Sequence, residues 1–195
     1  MYEVIGGVQS RAFRVLWMLE ELGQPYSHLN VKPHSAEARA ANPSGKVPAL
    51  RVDGHCLTDS SAILTYLADK HGQFTHPAGS IARAEQDALL HLILDEMDAV
   101  LWTAARHSFI LPEAQRVPEV KVSLNWEFQR NIQRLSERLT GPFLMGETMT
   151  VPDFVATHCL NWAYAAKFPV EDAKLLAYAK AMRGRDAFKR AAGKA

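Results

Sequence analysis

Short apolar runs separated by turn residues fill the N-terminal part of the chain. Four runs have the length and side chains of strands: residues 2–5, 26–31, 49–52 and 55–57. Asp53-Gly54, between the last two runs, is a two-residue hairpin signal. Apolar side chains recur at helical spacing over residues 11–22 and again over residues 63–68. The pattern predicts a mixed α/β domain over residues 1–72.

The C-terminal part follows a different pattern, in which the helical period is sustained. Residues 73–81 combine Gly, Pro and Ser without periodicity, which predicts a linker. Long helices are predicted from about Arg83 to Phe109 and from Val120 to Leu139, with a further short helix over residues 172–182. Residues 82–195 are therefore predicted to form an all-helical domain. The basic end, RGRDAFKRAAGKA, is predicted to be a solvated terminus.

A helix start is also predicted at Thr150. Thr150 and Asp153 have the spacing of a capping box, Pro152 suits the first turn, and Met149 and Phe154 occupy the positions of a hydrophobic staple. This segment is predicted to serve folding rather than chemistry.

Composition and charge exclude several classes of function. The 195 residues carry a net charge of +1 with acidic and basic residues interspersed, which is not the footprint of a nucleic-acid-binding protein. The first residues, MYEVIGGVQS, show no basic segment followed by a long apolar block, and no apolar run approaches the roughly 18 residues that a membrane span needs. No membrane association and a cytoplasmic location are therefore expected. Cys56 and Cys159 lack dithiol or metal-ligand spacing, so no metal site is expected and both thiols are predicted to be buried.

Candidate binding chemistry is concentrated between residues 42 and 63. Proline has no N–H and forces the preceding residue to be extended, so Val47 is free to offer its backbone N–H and C=O to an outside peptide. Asp59 and Ser60 come where a helix starts, and such a start attracts a carboxylate. Asp59 adds an acceptor for an ammonium and Ser60 a hydroxyl donor. Together they suit the head group of an α-amino acid at the start of a short peptide.

A second candidate is Ser10, which precedes the first predicted helix and is its natural N-cap. A hydroxyl donor and a helix N-terminus both favour a thiolate over a thiol, and the thiolate is the nucleophile. Ser10 is therefore a candidate for activating a bound thiol, a role compatible with capping.

The arrangement NPSGKVPAL, hairpin, LTDSSAI and YLADKHG resembles the glutathione-binding half of cytosolic glutathione transferases, which has a thioredoxin-like fold. The resemblance implies that Val47 pairs with the cysteinyl part of glutathione and that Pro48 is cis. It also implies that Asp59 and Ser60 bind the γ-glutamyl end and that Lys46 lies near the glycyl carboxylate. Position 59 is more often Glu or Gln in the family, so Asp59 shortens the reach by one methylene.

The segment SRAFRVLWMLEELGQPY resembles the first helix of the bacterial, serine-type members, whose catalytic serine lies in the preceding turn. Many members place that serine where this chain has Gln9. Ser10 is the best candidate, and Gln9, Arg11 or a backbone N–H are the alternatives. GPFLMGETMTVPDFVAT resembles the signature of the helical domain, so the resemblance covers nearly the whole chain.

The resemblance implies a glutathione transferase that conjugates glutathione, as co-substrate and without a metal, to a small hydrophobic electrophile in a detoxification role. It further implies a homodimer and an electrophile site between the domains. The residues predicted to line that site are Trp102, Arg106, His107 and Phe109. Two alternatives stay open. One is another glutathione-dependent activity, such as that of a peroxidase, isomerase or dehalogenase; the other is a non-catalytic binding module with the same fold.

Overall fold

The computed structural model describes residues 1–194, and their contacts form two compact units. The first unit comprises Met1–Pro77 together with the residues from Met182 onward, and the second comprises Ala78–Ala181. The contacts thus group the C-terminal residues with the N-terminal unit, a grouping that the sequence did not predict. The boundaries at residues 72 and 82 stay predictions. Within residues 1–194, no helix combines the length and apolar character that crossing a bilayer requires.

The first unit is built on a four-stranded mixed sheet with the strand order β2-β1-β3-β4. The strands are β1 (Tyr2–Ile5), β2 (Tyr26–Leu29), β3 (Ala49–Val52) and β4 (His55–Thr58). β1 pairs with β2 in parallel, while β1–β3 and β3–β4 are antiparallel. The predicted strands are confirmed, and so is the hairpin turn, since Asp53 and Gly54 both have positive φ, at 49° and 78°.

Three helices of this unit accompany the sheet: α1 (Ala12–Glu21), α2 (Ala36–Ala41) and α3 (Ser60–His71). α1 supplies the crossover between the parallel strands β1 and β2. It is buried continuously from Ala12 to Leu19, because the sheet, α3 and the C-terminal helix described below pack around it. A parallel pair joined through a helix, followed by an antiparallel hairpin and another helix, is the thioredoxin-like arrangement that the resemblance implies.

The second unit is helical, as predicted. Its helices are α4 (Ile81–Ile93), α5 (Ala99–Ala105), α6 (Val120–Arg138), α7 (Val151–Ala166) and most of α8 (Ala173–Gly184). α4 and α5 belong to one long helical segment, as the period predicts, but it contains π-helical turns at Leu94–Asp98 and Arg106–Ile110. Each π turn adds a residue to the local repeat, which a search for a regular period does not detect.

The buried face of α4 is formed by its larger apolar side chains. Ala84 and Ala88 are exposed, whereas Leu89, Leu90 and Ile93 are buried. The larger side chains take the core positions because burying them removes more apolar surface from water than burying alanine does.

The capping box at the start of α7 is confirmed. The Thr150 side chain accepts a hydrogen bond from the Asp153 backbone N–H, and the Asp153 side chain accepts one from the Thr150 backbone N–H. Both residues are fully buried. Met149 and Phe154, the staple residues, are buried as well. α7 therefore begins inside the core of the second unit.

The predicted solvated terminus is wrong. Residues Asp186–Ala192 form a further helix, α9, which packs on α1. The Phe188 ring makes edge contacts with Phe13 and Trp17, at centroid distances of 4.8 and 5.1 Å. Two ion pairs flank this aromatic contact: Arg185 with Glu21, and Arg190 with Glu20. The basic residues that suggested a solvated tail are thus matched to two adjacent glutamates of α1.

The prediction of two buried thiols is half wrong. Cys159 in α7 is completely buried, but Cys56 in β4 is exposed. β4 is at the edge of the sheet, and three of its four side chains face solvent. An apolar residue in an edge strand need not face the core, which explains the error.

Candidate functional site

The pairing register brings three separate chain segments together at the same end of strands β1, β3 and β4. Ile5 pairs with Ala49, and Ala49 pairs with Thr58. The residues that follow β1, precede β3 and follow β4 are therefore neighbours in space. Those residues are the turn leading to Ser10, the Val47-Pro48 pair, and Asp59 with Ser60. The binding residues that the sequence predicts in the first unit thus converge at this one end of the sheet.

The turn after β1 is packed tightly against Val47. Gly6 has a φ of +133°, and a Cβ built on it would lie 2.8 Å from the Val47 Cβ and 2.9 Å from the Ala12 Cβ. Only glycine accommodates both the backbone conformation and this approach. The Gly6 carbonyl also lies 2.8 Å from the His28 Nε2, which ties the turn to β2.

Ser10 lies half-buried in the turn that enters α1. Its hydroxyl donates to the Gly7 carbonyl at 2.7 Å and accepts from the Ala12 N–H at 3.1 Å. The regular helix begins one residue later than predicted, with Arg11 as its formal N-cap, but Arg11 makes no side-chain capping bond. Ser10 therefore does the work of a cap, and its hydroxyl must turn away from Gly7 to donate to a ligand.

Val47 is available for pairing with a peptide. The Val47-Pro48 bond is cis, as the resemblance implies. Pro48 is buried, whereas Val47 is partly exposed. Within residues 1–194, neither the N–H nor the C=O of Val47 makes a hydrogen bond. Two free backbone groups on an extended residue are what an added strand requires.

Lys46 is exposed beside Val47, on a loop held by its backbone. The Asn42 amide donates to the Lys46 carbonyl at 3.1 Å. The preceding Gly45, with a φ of +68°, is packed so closely on His34 that an added Cβ would lie 2.6 Å from the His34 Nδ1. The His34 N–H donates to the Gly45 carbonyl at 2.7 Å. The Lys46 backbone is thus fixed while its ammonium is exposed.

Asp59 caps α3 with a single carboxylate oxygen. Its Oδ1 accepts from the N–H groups of Ser61 and Ala62, at 2.9 and 3.0 Å, and from the Ser61 hydroxyl. Its Oδ2 makes no hydrogen bond within residues 1–194. Partial desolvation works to raise the pKa of Asp59, but the bonds from Ser61 and Ala62 and the charge of Arg14 outweigh it, so this pKa lies below its ordinary value.

Sequence reasoning missed Arg14, the residue behind this helix start. Arg14 is fully buried in α1, and its Nη1 donates to the Ser60 Oγ at 3.1 Å. The only signal in the sequence is an arginine inside the otherwise apolar run AFRVLWML. A cation flanked on both sides by core residues is expensive to bury, so its presence indicates a specific partner.

The residues predicted to line an electrophile site belong to the second unit. Trp102, in α5, is half-buried, and Arg106, His107 and Phe109 lie in the second π-helical turn. The Arg106 Nη2 donates to the Thr103 Oγ1 at 2.9 Å, and the His107 Nδ1 accepts from the Val117 N–H at 3.1 Å. Phe109 is 65% exposed. Their role stays a prediction.

Across residues 1–194, no three or more His, Cys, Asp or Glu side chains form a group that could hold a metal ion.

Comparisons with known proteins concern the family and the fold. A family model described as the N-terminal domain of glutathione S-transferase matches residues 10–75. Glutathione S-transferase GstA of Escherichia coli O157:H7 is 32% identical over 136 residues, which cover 68% of this chain and 64% of that protein. Maleylacetoacetate isomerase of Rhizobium meliloti is 37% identical over 97 residues, or 47% of this chain and 46% of that protein.

A solved structure extends the similarity to both units. The crystal structure of a glutathione transferase from Methylococcus capsulatus str. Bath matches with a TM-score of 0.86 and 25% sequence identity, over 98% of this chain and 97% of that chain. The fold is therefore a thioredoxin-like unit followed by an all-helical unit, the architecture of glutathione transferases. The chain belongs to the bacterial-type glutathione S-transferase family.

Proposed function

We propose that this protein is a glutathione transferase that joins glutathione to a small hydrophobic electrophile. The observation that carries the proposal is that three groups converge at one end of the sheet. They are the unpaired backbone of Val47, the open carboxylate oxygen of Asp59 at the start of α3, and the Ser10 hydroxyl at the start of α1. Glutathione offers a matching order of groups: a peptide backbone, an amino-acid head and a thiol.

The head and the backbone of glutathione are held by different groups of this site. Val47 pairs its N–H and C=O with the cysteinyl residue. The Asp59 Oδ2 accepts from the ammonium of the γ-glutamyl head, while the Ser60 hydroxyl donates to its α-carboxylate. Lys46 places a positive charge by the glycyl carboxylate, and Pro48 holds Val47 in position.

The chemistry is nucleophilic attack by a thiolate. Ser10 donates a hydrogen bond to the glutathione sulfur, and the N-terminus of α1 adds its partial positive charge, so that the thiol loses its proton to solvent near neutral pH. The sulfur then forms a bond to the electrophilic carbon as the leaving group departs with its electron pair. Trp102, Arg106, His107 and Phe109 are the proposed contacts of the electrophile. A homodimer is the proposed assembly, on the resemblance to the family, and analytical ultracentrifugation would test it.

The experiment that tests this function is an ultraviolet titration of the thiolate of bound glutathione. We expect a depressed thiol pKa in the wild type and a return toward that of free glutathione in Ser10→Ala. Ser35→Ala is the matched control, because Ser35 caps α2 through a bond to the Ala38 N–H and lies outside the proposed site. A depression that survives in Ser10→Ala transfers the role to Gln9, Arg11 or a backbone N–H. Absence of depression, or of binding, favours a non-catalytic module.

A glutathione-dependent isomerase is the second candidate, favoured by the 37% identity to a maleylacetoacetate isomerase over 97 residues. In such a reaction the thiolate adds to a conjugated cis double bond, the new single bond rotates, and the thiolate is expelled from the trans product. Glutathione is consumed by a transferase but not by an isomerase. Following glutathione and substrate together, with an activated aryl chloride and with a cis-unsaturated keto acid, separates the two activities. A hydroperoxide added to the same panel tests peroxidase activity.

A further inference from the structure

A buried cation lies directly behind the proposed head-group site. Arg14 has no exposed surface, and its Nη1 contacts the Ser60 Oγ at 3.1 Å across 46 residues of sequence. A guanidinium is costly to remove from water unless neighbouring groups compensate. The compensation here comes partly from the first residue of α3, which is also one of the two residues proposed to hold the γ-glutamyl head of glutathione.

The direction of this hydrogen bond determines what Ser60 can do. A guanidinium has only donors, so the Ser60 oxygen must be the acceptor. A hydroxyl that accepts through a lone pair still has its own hydrogen to donate. The structure gives the Ser60 side chain no other hydrogen bond within residues 1–194, so that hydrogen is not engaged. Arg14 thereby leaves the buried Ser60 hydroxyl with a hydrogen to donate.

The same charge acts on the neighbouring acceptor. Partial desolvation raises the pKa of Asp59, while bonds from Ser61 and Ala62 and the positive charge of Arg14 lower it, and the net shift is downward. Asp59 is therefore ionised at neutral pH, with its Oδ2 open. The helix start thus offers a donor at Ser60 and an open acceptor at Asp59, and Arg14 acts chiefly on the donor.

We propose that Arg14 is a positioning residue for the zwitterionic head of the ligand: by donating to the Ser60 Oγ, it directs the Ser60 O–H to the α-carboxylate. The inference rests on the proposed function, since it takes glutathione as the ligand. It assigns to Arg14 a preference for ligands whose head group carries an α-carboxylate. Arg14 does not touch the ligand, and its effect passes through Ser60.

A comparison of two ligands isolates this role from a structural one. The first ligand is glutathione, and the second is γ-aminobutyryl-cysteinylglycine, which lacks only the α-carboxylate. Affinities are measured by calorimetry for the wild type, Arg14→Gln, Arg14→Met and Ser60→Ala. Arg51→Gln is the control, because Arg51 is a surface arginine of the same unit, paired with Glu3 at 2.8 Å.

We expect Arg14→Met to lower the affinity for glutathione by about tenfold or more, the size of one hydrogen bond to a charged group, while the affinity for the analogue changes less than about twofold. Arg14→Gln, which keeps a donor, falls between Arg14→Met and the wild type. Ser60→Ala combined with Arg14→Gln costs little more than Ser60→Ala alone, since both act on one contact. Arg51→Gln binds both ligands like the wild type.

Other results would overturn the proposed role of Arg14. Equal losses for both ligands reduce Arg14 to a packing role, and unchanged glutathione binding removes it from recognition altogether. A wild type that binds neither ligand overturns the proposed function and this inference with it. If circular dichroism shows that Arg14→Met does not fold, Arg14→Gln carries the same comparison, and a loss of the wild-type preference for glutathione over the analogue is then the expected result.

Discussion

The starts of α3 and α7 use the same residue type in opposite ways. Asp59 at the start of α3 is exposed and caps the helix with one oxygen. Asp153 in the first turn of α7 is fully buried, and both its oxygens are in use. A carboxylate at a helix N-terminus is therefore not by itself a sign of a binding site. Whether an oxygen stays open to solvent separates the two cases.

The hydrogen bonds to Asp153 explain why it serves the fold. Its Oδ1 accepts from the Leu144 N–H at 2.9 Å and the Tyr178 hydroxyl at 2.8 Å, and its Oδ2 accepts from the N–H and the hydroxyl of Thr150. Burial raises the pKa of Asp153, although bonds from Leu144, Thr150 and Tyr178 oppose the shift. Asp59 shows the opposite balance, with its pKa lowered. The fold uses the buried carboxylate to join three segments of the second unit.

The largest expected effect is from Asp153→Ala. Removing the carboxylate leaves several buried donors without a partner, and we expect the free energy of unfolding to fall by about 3–5 kcal/mol. Urea denaturation monitored by circular dichroism measures it. A loss below about 1 kcal/mol would show that these donors bond water or other acceptors, and would contradict the structural role of Asp153.

The second test removes only the charge of Asp59. Asparagine caps helices as well as aspartate and tolerates positive φ, so Asp59→Asn should keep the stability within about 0.5 kcal/mol of the wild type. It should still lower the affinity for glutathione by about tenfold, because the ammonium loses its anionic partner. Calorimetry and urea denaturation on the same sample separate the two quantities. Unchanged affinity would leave Asp59 with the capping role alone.

An ordinary cap gives the scale between these extremes. Ser35 caps α2 through a 3.1 Å bond from the Ala38 N–H and has no proposed ligand. Ser35→Ala should cost about 1 kcal/mol of unfolding free energy, the usual value for a lost serine cap. Glutathione affinity should stay at the wild-type level. A fall in affinity here would mean that any loosening of this unit affects binding, which would weaken the interpretation of Asp59→Asn.

The smallest effect is a difference in the sign of pH dependence. Because the pKa of Asp59 is lowered, its contribution to stability is complete above its ordinary value of 3.8 and disappears as the pH falls through the folded-state pKa. Because the pKa of Asp153 is raised, its contribution is complete below 3.8 and declines as the pH rises through the folded-state pKa. The stability difference between the wild type and Asp59→Asn should therefore grow with pH in the acid range, and that for Asp153→Asn should shrink. Denaturation at several pH values measures both slopes, and two slopes of one sign would contradict the assignment.

Local chemistry was predictable from the sequence. The hairpin at Asp53-Gly54, the capping box at Thr150 and the strand ends that collect Val47, Pro48, Asp59 and Ser60 each depend on residues close together in the chain. Turn types, caps and proline corners restrict the backbone within a few residues, so reading the sequence in short windows is sufficient for them.

Long-range pairing was not predictable. Arg14 donates a hydrogen bond to Ser60, 46 residues away in sequence, and Arg185 donates one to Glu21, 164 residues away. No pattern within α9 indicates that α1 carries two matching glutamates, so its charges were interpreted as a solvated tail. The sequence analysis gave Arg14 no role of its own, since an arginine in a helix is ordinarily exposed. The missed features are thus pairings that only the tertiary fold creates.

The uneven exposure of the two cysteines makes the protein convenient to observe. Cys56 is exposed and lies three residues before Asp59, whereas Cys159 is sealed in α7. A maleimide fluorophore added to the folded protein should attach at one place, next to the helix start where the head group is proposed to bind. Its emission would then report ligand binding in real time, without an engineered cysteine. The thiol of Cys159 would become reactive only on unfolding.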